Sequence, residues 1–314
     1  MSTHVVFGTG AIGLATLDAL LRRGEQVRMV NRSGSAQVPD GVEVIAGNAA
    51  DPDFTIAVTK GARVVYQTLN PPYDSWTEQF PALQAGVLAA AQAAGARLVS
   101  MENVYMYGRP AGRPLTEDRA HDAHTKKGRV RSRMARDLLA AHGAGRVEVA
   151  IGRASDYFGP RGGAQSNLGD RLFPAALAGR TAGVLGDPDQ PHTYTYVPDI
   201  GEGLAVLGEH PSAPGAVWHL PNDPVTRTTR ELVELAYRAA GRPRARLREI
   251  PPLLIRLAAI AKPTLRELLE MRYQFEEPFV VDSSRMTTQL GAKATPAEQA
   301  INETLATYPA RPER

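Results

Sequence analysis

Cysteine is missing from all 314 positions. The chain therefore has no disulfide, no thiolate nucleophile and no cysteine-held metal, and it suits a reducing compartment. Long apolar runs are missing too. The most apolar window, 85–96, is alanine-rich and is broken by Gln92 and Gly95, too short and too polar to span a bilayer. His4 to Phe7 is already an apolar strand, with no basic stretch, apolar stretch or cleavage site before it, so no leader and a cytoplasmic location are expected. No His and carboxylate cluster has metal-ligand spacing, and no Ser/His/Asp spacing supports a hydrolase triad. Net charge is only +3, yet Lys126, Lys127, Arg129, Arg131, Arg133 and Arg136 fall close together. Without an aromatic platform or a binding motif beside it, this basic run predicts a solvated helix face and no nucleic-acid partner.

What is present is an alternation of β-type and helical stretches, the pattern of a parallel sheet covered on both faces. Strands are expected at 5–7, 26–30, 42–45, 63–69, 97–101 and 147–151, with helices at 14–23, 76–94 and 130–142 between them. Beyond residue 153 come Gly/Pro-rich loops at 159–163 and 186–189, a helix near 168–177, and a short strand at 193–197. A helix capped by Asp199 follows, then helices near 228–240, 253–261, 264–273 and 296–307. The fold class is α/β: a Rossmann-type doubly wound parallel sheet with a smaller, mainly helical C-terminal substrate lobe. The expected division is a dinucleotide domain over 1–165 with a return segment at about 190–222, and a smaller lobe from 166–189 and 223–314.

Gly8-Thr9-Gly10-Ala11-Ile12-Gly13 follows the first strand and opens the first helix, the setting in which a glycine turn carries meaning. Gly8 permits the tight turn, Gly10 lets backbone approach a pyrophosphate, and Gly13 lets helix and strand pack closely, with Ala11 and Ile12 offering helix N-terminal amides. The second strand ends in Asn31-Arg32-Ser33 rather than in a carboxylate. An acid would repel a 2′-phosphate, whereas Arg32 pairs with one and its two neighbours add hydrogen bonds, so NADP(H) is preferred, with NAD(H) possible. Ligands of open α/β sheets sit outside the carboxyl ends of strands. This adds Asn48, Leu69, Asn70, Pro71, Ala154 and Asp156 to the cofactor candidates, and Tyr73, Tyr157, His192 and Tyr194 to the substrate candidates.

With the glycine turn, the strand ladder, the segments Asn103-Val104-Tyr105-Met106-Tyr107-Gly108 and Arg153-Ala154-Ser155-Asp156-Tyr157-Phe158-Gly159-Pro160, and Tyr196-Val197-Pro198-Asp199-Ile200, the chain resembles the extended short-chain dehydrogenase/reductase superfamily. Within it the chain is similar to NAD-dependent epimerase/dehydratase-like members. The resemblance implies catalysis by a tyrosine, a lysine four residues later and a serine or threonine. None of the ten tyrosines has lysine four positions on. Aligning the helix on Gly128-Arg129 and Leu138-Leu139 puts Lys127 in the tyrosine place and Arg131 in the lysine place, and counting back from Tyr107 puts Asn103 in the serine place. All three differ, as in atypical members.

The replacements still carry chemistry. Lys127 and Arg131 share a helix face and can supply positive charge near a cofactor ribose or a developing oxyanion, and Asn103 can donate an amide hydrogen bond to that oxygen. The alternative is that Lys127 faces solvent and the site is lost. Tyr105 is the first candidate for a substitute acid. The leading expectation is an NADP(H)-dependent oxidoreductase that passes hydride to a carbonyl, imine or activated alkene of a small or medium organic substrate. The rivals are a sugar-nucleotide epimerase or dehydratase, and a non-catalytic NADP(H)-binding sensor or scaffold; the assembly expected is a monomer or homodimer.

Overall fold

The computed structural model describes residues 3–251, 253 and 269–309. Each of the six apolar runs forms a strand: β1 (Thr3–Phe7), β2 (Gln26–Asn31), β3 (Glu43–Ala46), β4 (Ala62–Gln67), β5 (Arg97–Glu102) and β6 (Val149–Arg153). A further strand, β10 (Val217–His219), pairs with β6. Among the described residues the central sheet thus has seven strands, in the order β10-β6-β5-β4-β1-β2-β3, every neighbour parallel. The order reverses between β1 and β4, and that switch point opens a crevice at the strands' carboxyl ends.

One face of the sheet is covered by α1 (Ala11–Arg22) and α6 (Val197–Glu209), whose Leu17, Leu20, Ile200 and Leu204 join a single apolar core. These helices cross backbone against backbone, for a Cβ on Gly201 would fall 2.3 Å from the Ala15 carbonyl oxygen. The other face carries α2 (Pro52–Val58), α3 (Trp76–Ala94) and α4 (Lys126–Gly143), packed through Val58, Val87, Ala135 and Leu138. A second core gathers α5 (Gly169–Leu177), α7 (Thr229–Ala239) and the helix Ala297–Ala306 around Leu172, Phe173, Val233, Tyr237 and Ile301. Two short parallel pairs lie outside the main sheet: β7 (Asp156–Phe158) with β9 (Tyr194–Tyr196), and β8 (Ala182–Val184) with β11 (Leu247–Glu249). Among the described residues no helix is long and apolar enough to cross a membrane.

Three sequence expectations change. The helix assigned to an Asp199 cap begins at Val197, with Tyr196 in the capping place and Pro198 in the first turn, where its fixed φ costs nothing. The Asp199 carboxylate is instead spent on Thr295, accepting its backbone N–H and its Oγ1–H, each at 2.7 Å. Helix α4 starts a turn earlier than expected, because Thr125 caps it through Gly128 N–H at 3.0 Å. The solvated basic face holds for Lys126, Arg129, Arg133 and Arg136 but not for Lys127 and Arg131, which are each 2% exposed. Most of the helices expected at 253–261 and 264–273 lies outside the described residues, although Arg272–Phe275 forms a 3₁₀ turn.

Burial pushes the Asp199 carboxyl up to about 6, against the two bonds from Thr295 that pull it down. A carboxyl raised in the folded chain adds stability below its unfolded pKa, and that stability is lost as pH climbs through the folded value. Asp199→Asn removes this titration while keeping an oxygen for Thr295. From about pH 4 to about pH 8 the variant is therefore expected to gain on the native chain by about 2 kcal/mol in denaturant unfolding. A gap that does not change with pH would show that Asp199 is not the titrating group.

Candidate functional site

Gly8 takes φ +110°, and a Cβ there would lie 2.7 Å from Thr68 Oγ1. A Cβ on Gly13 would strike the Gly8 carbonyl oxygen at 2.0 Å, so Gly13 lets the turn fold onto the start of α1. A Cβ on Gly10 would meet nothing within 4 Å and would instead project into the crevice. Gly10 is the capping residue of α1 and brings no side chain to the first-turn amides. Unclaimed helix N–H groups beside open space fit a pyrophosphate, and Gly10, Ala11 and Ile12 line the cleft in which it would rest.

At the end of β2 the Asn31 amide is fully engaged. Its Nδ2 donates to Thr9 Oγ1 and to the Ser35 carbonyl, each at 2.8 Å, and its Oδ1 accepts from Ser33 N–H at 3.0 Å and Gly34 N–H at 2.7 Å. Because Asn31 is a donor as well as an acceptor here, an aspartate would face the Ser35 oxygen with nothing to give. Arg32 and Ser33 are exposed beside it. Asn48, after β3, is also exposed and turns its own loop by accepting from Ala50 N–H.

The cleft encloses about 420 Å³ and is lined by the glycine turn, Leu69, Asn70, Asn103, Ala154 and, most prominently, by rings: Tyr73, Trp76, Phe80, Tyr105 and Tyr157. Tyr73 Oη donates to Tyr105 Oη at 3.4 Å, and Trp76 stacks on Tyr105 with centroids 5.9 Å apart. Trp76 Nε1 is in turn fixed by the Pro71 carbonyl at 3.2 Å. Asn103 lines the cleft and accepts Tyr105 N–H at 3.2 Å, which turns the strand end into the 3₁₀ segment Tyr105–Tyr107. Burial pushes the phenols of Tyr73 and Tyr105 well above the ordinary tyrosine range, and Tyr157 up to about 12, with the Asp156 charge adding to each. Such phenols keep their protons and can donate them in hydrogen bonds, but they are poor bases.

Arg131 lies on the cleft floor with its guanidinium 4.6 Å from the Phe80 ring centre and donates to the Met101 carbonyl at 3.0 Å. Its Nε, like Glu102 Oε1 nearby, is buried and has no hydrogen-bond partner among the described residues. Burial pulls the guanidinium pKa down, with Glu102 opposing. An orphan donor and an orphan acceptor on one floor suit the hydroxyls of a ribose. Lys127 does not line the cleft. Its Nζ sits 4.3 Å from the Tyr73 ring centre, behind the ring, and 3.9 Å from Glu270.

Asp156, at the start of β7, faces the cleft between two donors. Asn167 Nδ2 reaches its Oδ1 at 2.7 Å, and the His192 ring meets its Oδ2 at 3.0 Å. His192 is buried, stacked on Phe275 with centroids 4.7 Å apart, and its Nδ1 lies 3.0 Å from the Gln274 carbonyl. His192 and Tyr194 therefore stand behind Asp156 rather than in the cleft, lining a small neighbouring cavity.

Of the candidates read from sequence, the structure brings Gly10, Ala11, Ile12, Leu69, Asn70, Tyr73, Asn103, Tyr105, Arg131, Ala154, Asp156 and Tyr157 to one cleft. Lys127, Pro71, His192 and Tyr194 support it from behind. Sequence reading missed Trp76, Phe80, Glu102, Asn167 and Arg171, which also line it. Only the i, i+4 placement of Trp76 and Phe80 on an apolar helix could have pointed to them. Among the described residues no group of three His, Asp or Glu side chains is placed to hold a metal.

Among curated proteins none matches the sequence significantly. The chain is similar in structure to UDP-glucose 4-epimerase from Thermotoga maritima, solved with UDP-glucose, at 15% identity and TM-score 0.78 over 97% of this chain and 98% of that one. It is also similar to dTDP-glucose 4,6-dehydratase from Bacillus anthracis in complex with NAD, at 15% identity and TM-score 0.79 over 98% and 96%. A third likeness is the enzyme WbmH of Bordetella bronchiseptica in complex with NAD+, at 17% identity and TM-score 0.75 over 98% of each chain. At these identities the likeness is one of fold. Residues 5–219, more than half the chain, match the family model described as the NAD dependent epimerase/dehydratase family. The chain therefore belongs to the NAD dependent epimerase/dehydratase family.

Proposed function

We propose that the protein is a nicotinamide-dependent hydride-transfer enzyme that reduces a carbonyl on a substrate of the sugar-nucleotide class, with NADP(H) preferred over NAD(H). The Tyr73–Tyr105 pair carries the reading of direction. Both phenols are held protonated by burial, and the family's lysine place is filled by an arginine, so neither tyrosine of the pair is set to act as a base. Reduction needs a donor, whereas the alcohol oxidation that opens an epimerase cycle needs a base. The family match and the UDP-glucose and dTDP-glucose enzymes among the solved neighbours support the substrate class. So does Arg171, a half-buried guanidinium on the cleft wall at a size and place suited to a phosphate.

When bound, the reduced dinucleotide supplies the hydride. Tyr105 Oη gives its proton to the carbonyl oxygen and regains one from solvent, while Tyr73 keeps its own proton and donates a hydrogen bond that steadies the Tyr105 phenolate left in between. Lys127 keeps positive charge against the Tyr73 ring, and Asn103 Nδ2 adds a hydrogen bond to the same oxygen. The glycine turn, Arg131 and the strand-end residues Leu69, Asn70 and Ala154 hold the dinucleotide, and the described residues of 166–189 and 223–309 form the lobe that covers the substrate.

An internal oxidation and re-reduction, as in an epimerase or dehydratase, is a second reading, favoured by the activities named for the neighbours. The two separate in one assay. With the 4-keto forms of UDP-glucose or dTDP-glucose, NADPH is expected to be consumed mole for mole, while the parent sugars leave it untouched. Conversion of the parent sugars with no net change in cofactor would instead establish the second reading. Tight cofactor binding with turnover of neither would leave only a sensor.

Two substitutions test the residues. Tyr105→Phe is expected to lower kcat roughly a hundredfold with little change in KM, the size of a lost general acid; a normal kcat would remove Tyr105 from proton transfer. Arg32→Ala is expected to weaken NADPH binding about tenfold or more while leaving NADH within about twofold. Equal weakening of both would place the 2′-phosphate elsewhere.

A further inference from the structure

We propose that Asp156 is a specificity-determining residue that reads a positively charged nitrogen, a primary ammonium group, on the substrate. The inference rests on the reading of this cleft as the substrate site and narrows its substrate to an aminated one. Asp156 is a carboxylate on the wall of a cleft otherwise built of rings and amides. It is held in place: Asn167 Nδ2 and the His192 ring each occupy one oxygen, and His192 is itself clamped by Phe275 and the Gln274 carbonyl. Each oxygen keeps a further lone pair, and the side chain retains exposure to the cleft. A pre-set acceptor of this kind, which need not reorganise, binds a donor group more tightly than a mobile surface carboxylate does.

The rings decide the sign of the group. Their faces carry negative quadrupole density and attract cations. The chain already uses two of them so, with Lys127 over Tyr73 at 4.3 Å and Arg131 over Phe80 at 4.6 Å. Tyr105 and Tyr157 line the same cavity beside Asp156, and the carboxylate's charge is felt by both phenols. A carboxylate set among aromatic rings favours an ammonium over a hydroxyl, because only the ammonium gains from both. Arg171 is linked to Asp156 through Asn167, whose Oδ1 lies 3.5 Å from the guanidinium. The cleft therefore offers one cationic and one anionic contact a side chain apart, a pattern matched by a substrate that carries a phosphate and an amine.

The test compares two pairs of probes on the intact protein. Benzylammonium and benzyl alcohol differ in the group alone, as do UDP-glucosamine and UDP-glucose. In calorimetry the amine of each pair is expected to bind at least about tenfold more tightly, and Asp156→Asn to reduce that preference to about twofold or less. Equal affinity of benzylammonium and benzyl alcohol for the native protein overturns the proposal, a result that needs no variant to fold. So does an Asp156→Asn protein of native circular dichroism that keeps the preference. If benzylammonium binds through Asp156 but neither sugar nucleotide binds, the ammonium site stands and the sugar-nucleotide reading falls.

Discussion

The cleft depends on two charges taken out of water at the ends of neighbouring strands. Arg153, the last residue of β6, and Glu102, the last of β5, are each 1% exposed, with Nε to Oε2 at 3.0 Å. Burying such a pair is costly unless the remaining donors find partners, and here the partners come from several elements around the site. One guanidinium nitrogen donates to Tyr107 Oη at 2.7 Å, and another meets His121 Nε2 at 3.2 Å. Burial, with Arg153 adding to it, pulls His121 and His219 each down to about 4, so both rings are neutral around neutral pH and each has one donor and one acceptor nitrogen. The directions then follow without a free choice. His219 donates from Nδ1 to the Asp282 carbonyl and accepts Tyr107 O–H at Nε2, while His121 accepts from Arg153 and donates to Ser132 on α4. Strands β5, β6 and β10 and helix α4 are thus tied by one directional network, and Asn103, Asp156 and Arg131 stand immediately beyond its members.

This arrangement explains why so much of the fold was legible and so much of the site was not. The glycine turn and six strands are local in origin. A strand buried on both faces must be a run of apolar residues, and the turn must be glycine where Gly8 takes positive φ and Gly13 meets a carbonyl at 2.0 Å. The short strand expected at 193–197 forms as β9, but β7, β8, β10 and β11 are three residues long, too short for any period, and form because partners distant in sequence are already in place. Asp199 shows the same limit. Its type and place suggested a cap, but Thr295, ninety-six residues on, claims the carboxylate.

For the site, sequence reading found residues but not depths. Lys127 and Arg131 were recognisable as substitutions because helix register is local. Whether they faced water depended on Tyr73, Phe80 and Glu270, which arrive from other elements. Likewise Asp156 and His192 were each visible at a strand end, yet their contact across thirty-six residues, with Gln274 behind them, follows only from the packing of β7 against β9. Arg171 and Asn167 had no local signal, since what marks them is that they face a cleft lined also by the turns that follow β1 and β4.

The substitutions also change what the cleft can do. A tyrosine beside a lysine serves both directions of hydride chemistry, because a nearby cation lets the phenol release its proton as readily as it regains it. Here cations occupy the two helix positions themselves, where one lies behind the Tyr73 ring and the other on the cleft floor against Phe80. The phenols that remain in the cleft, Tyr73, Tyr105 and Tyr157, have burial and the Asp156 charge acting on them in the same sense, and both hold the proton on. Placing a carboxylate among the phenols therefore keeps them protonated, as hydrogen-bond donors rather than as bases, while Lys127 stays against the Tyr73 ring. The same carboxylate that holds the protons on the tyrosines is the anionic group of the cleft wall, so the protonation of the phenols and the proposed preference for a cationic substrate share one cause.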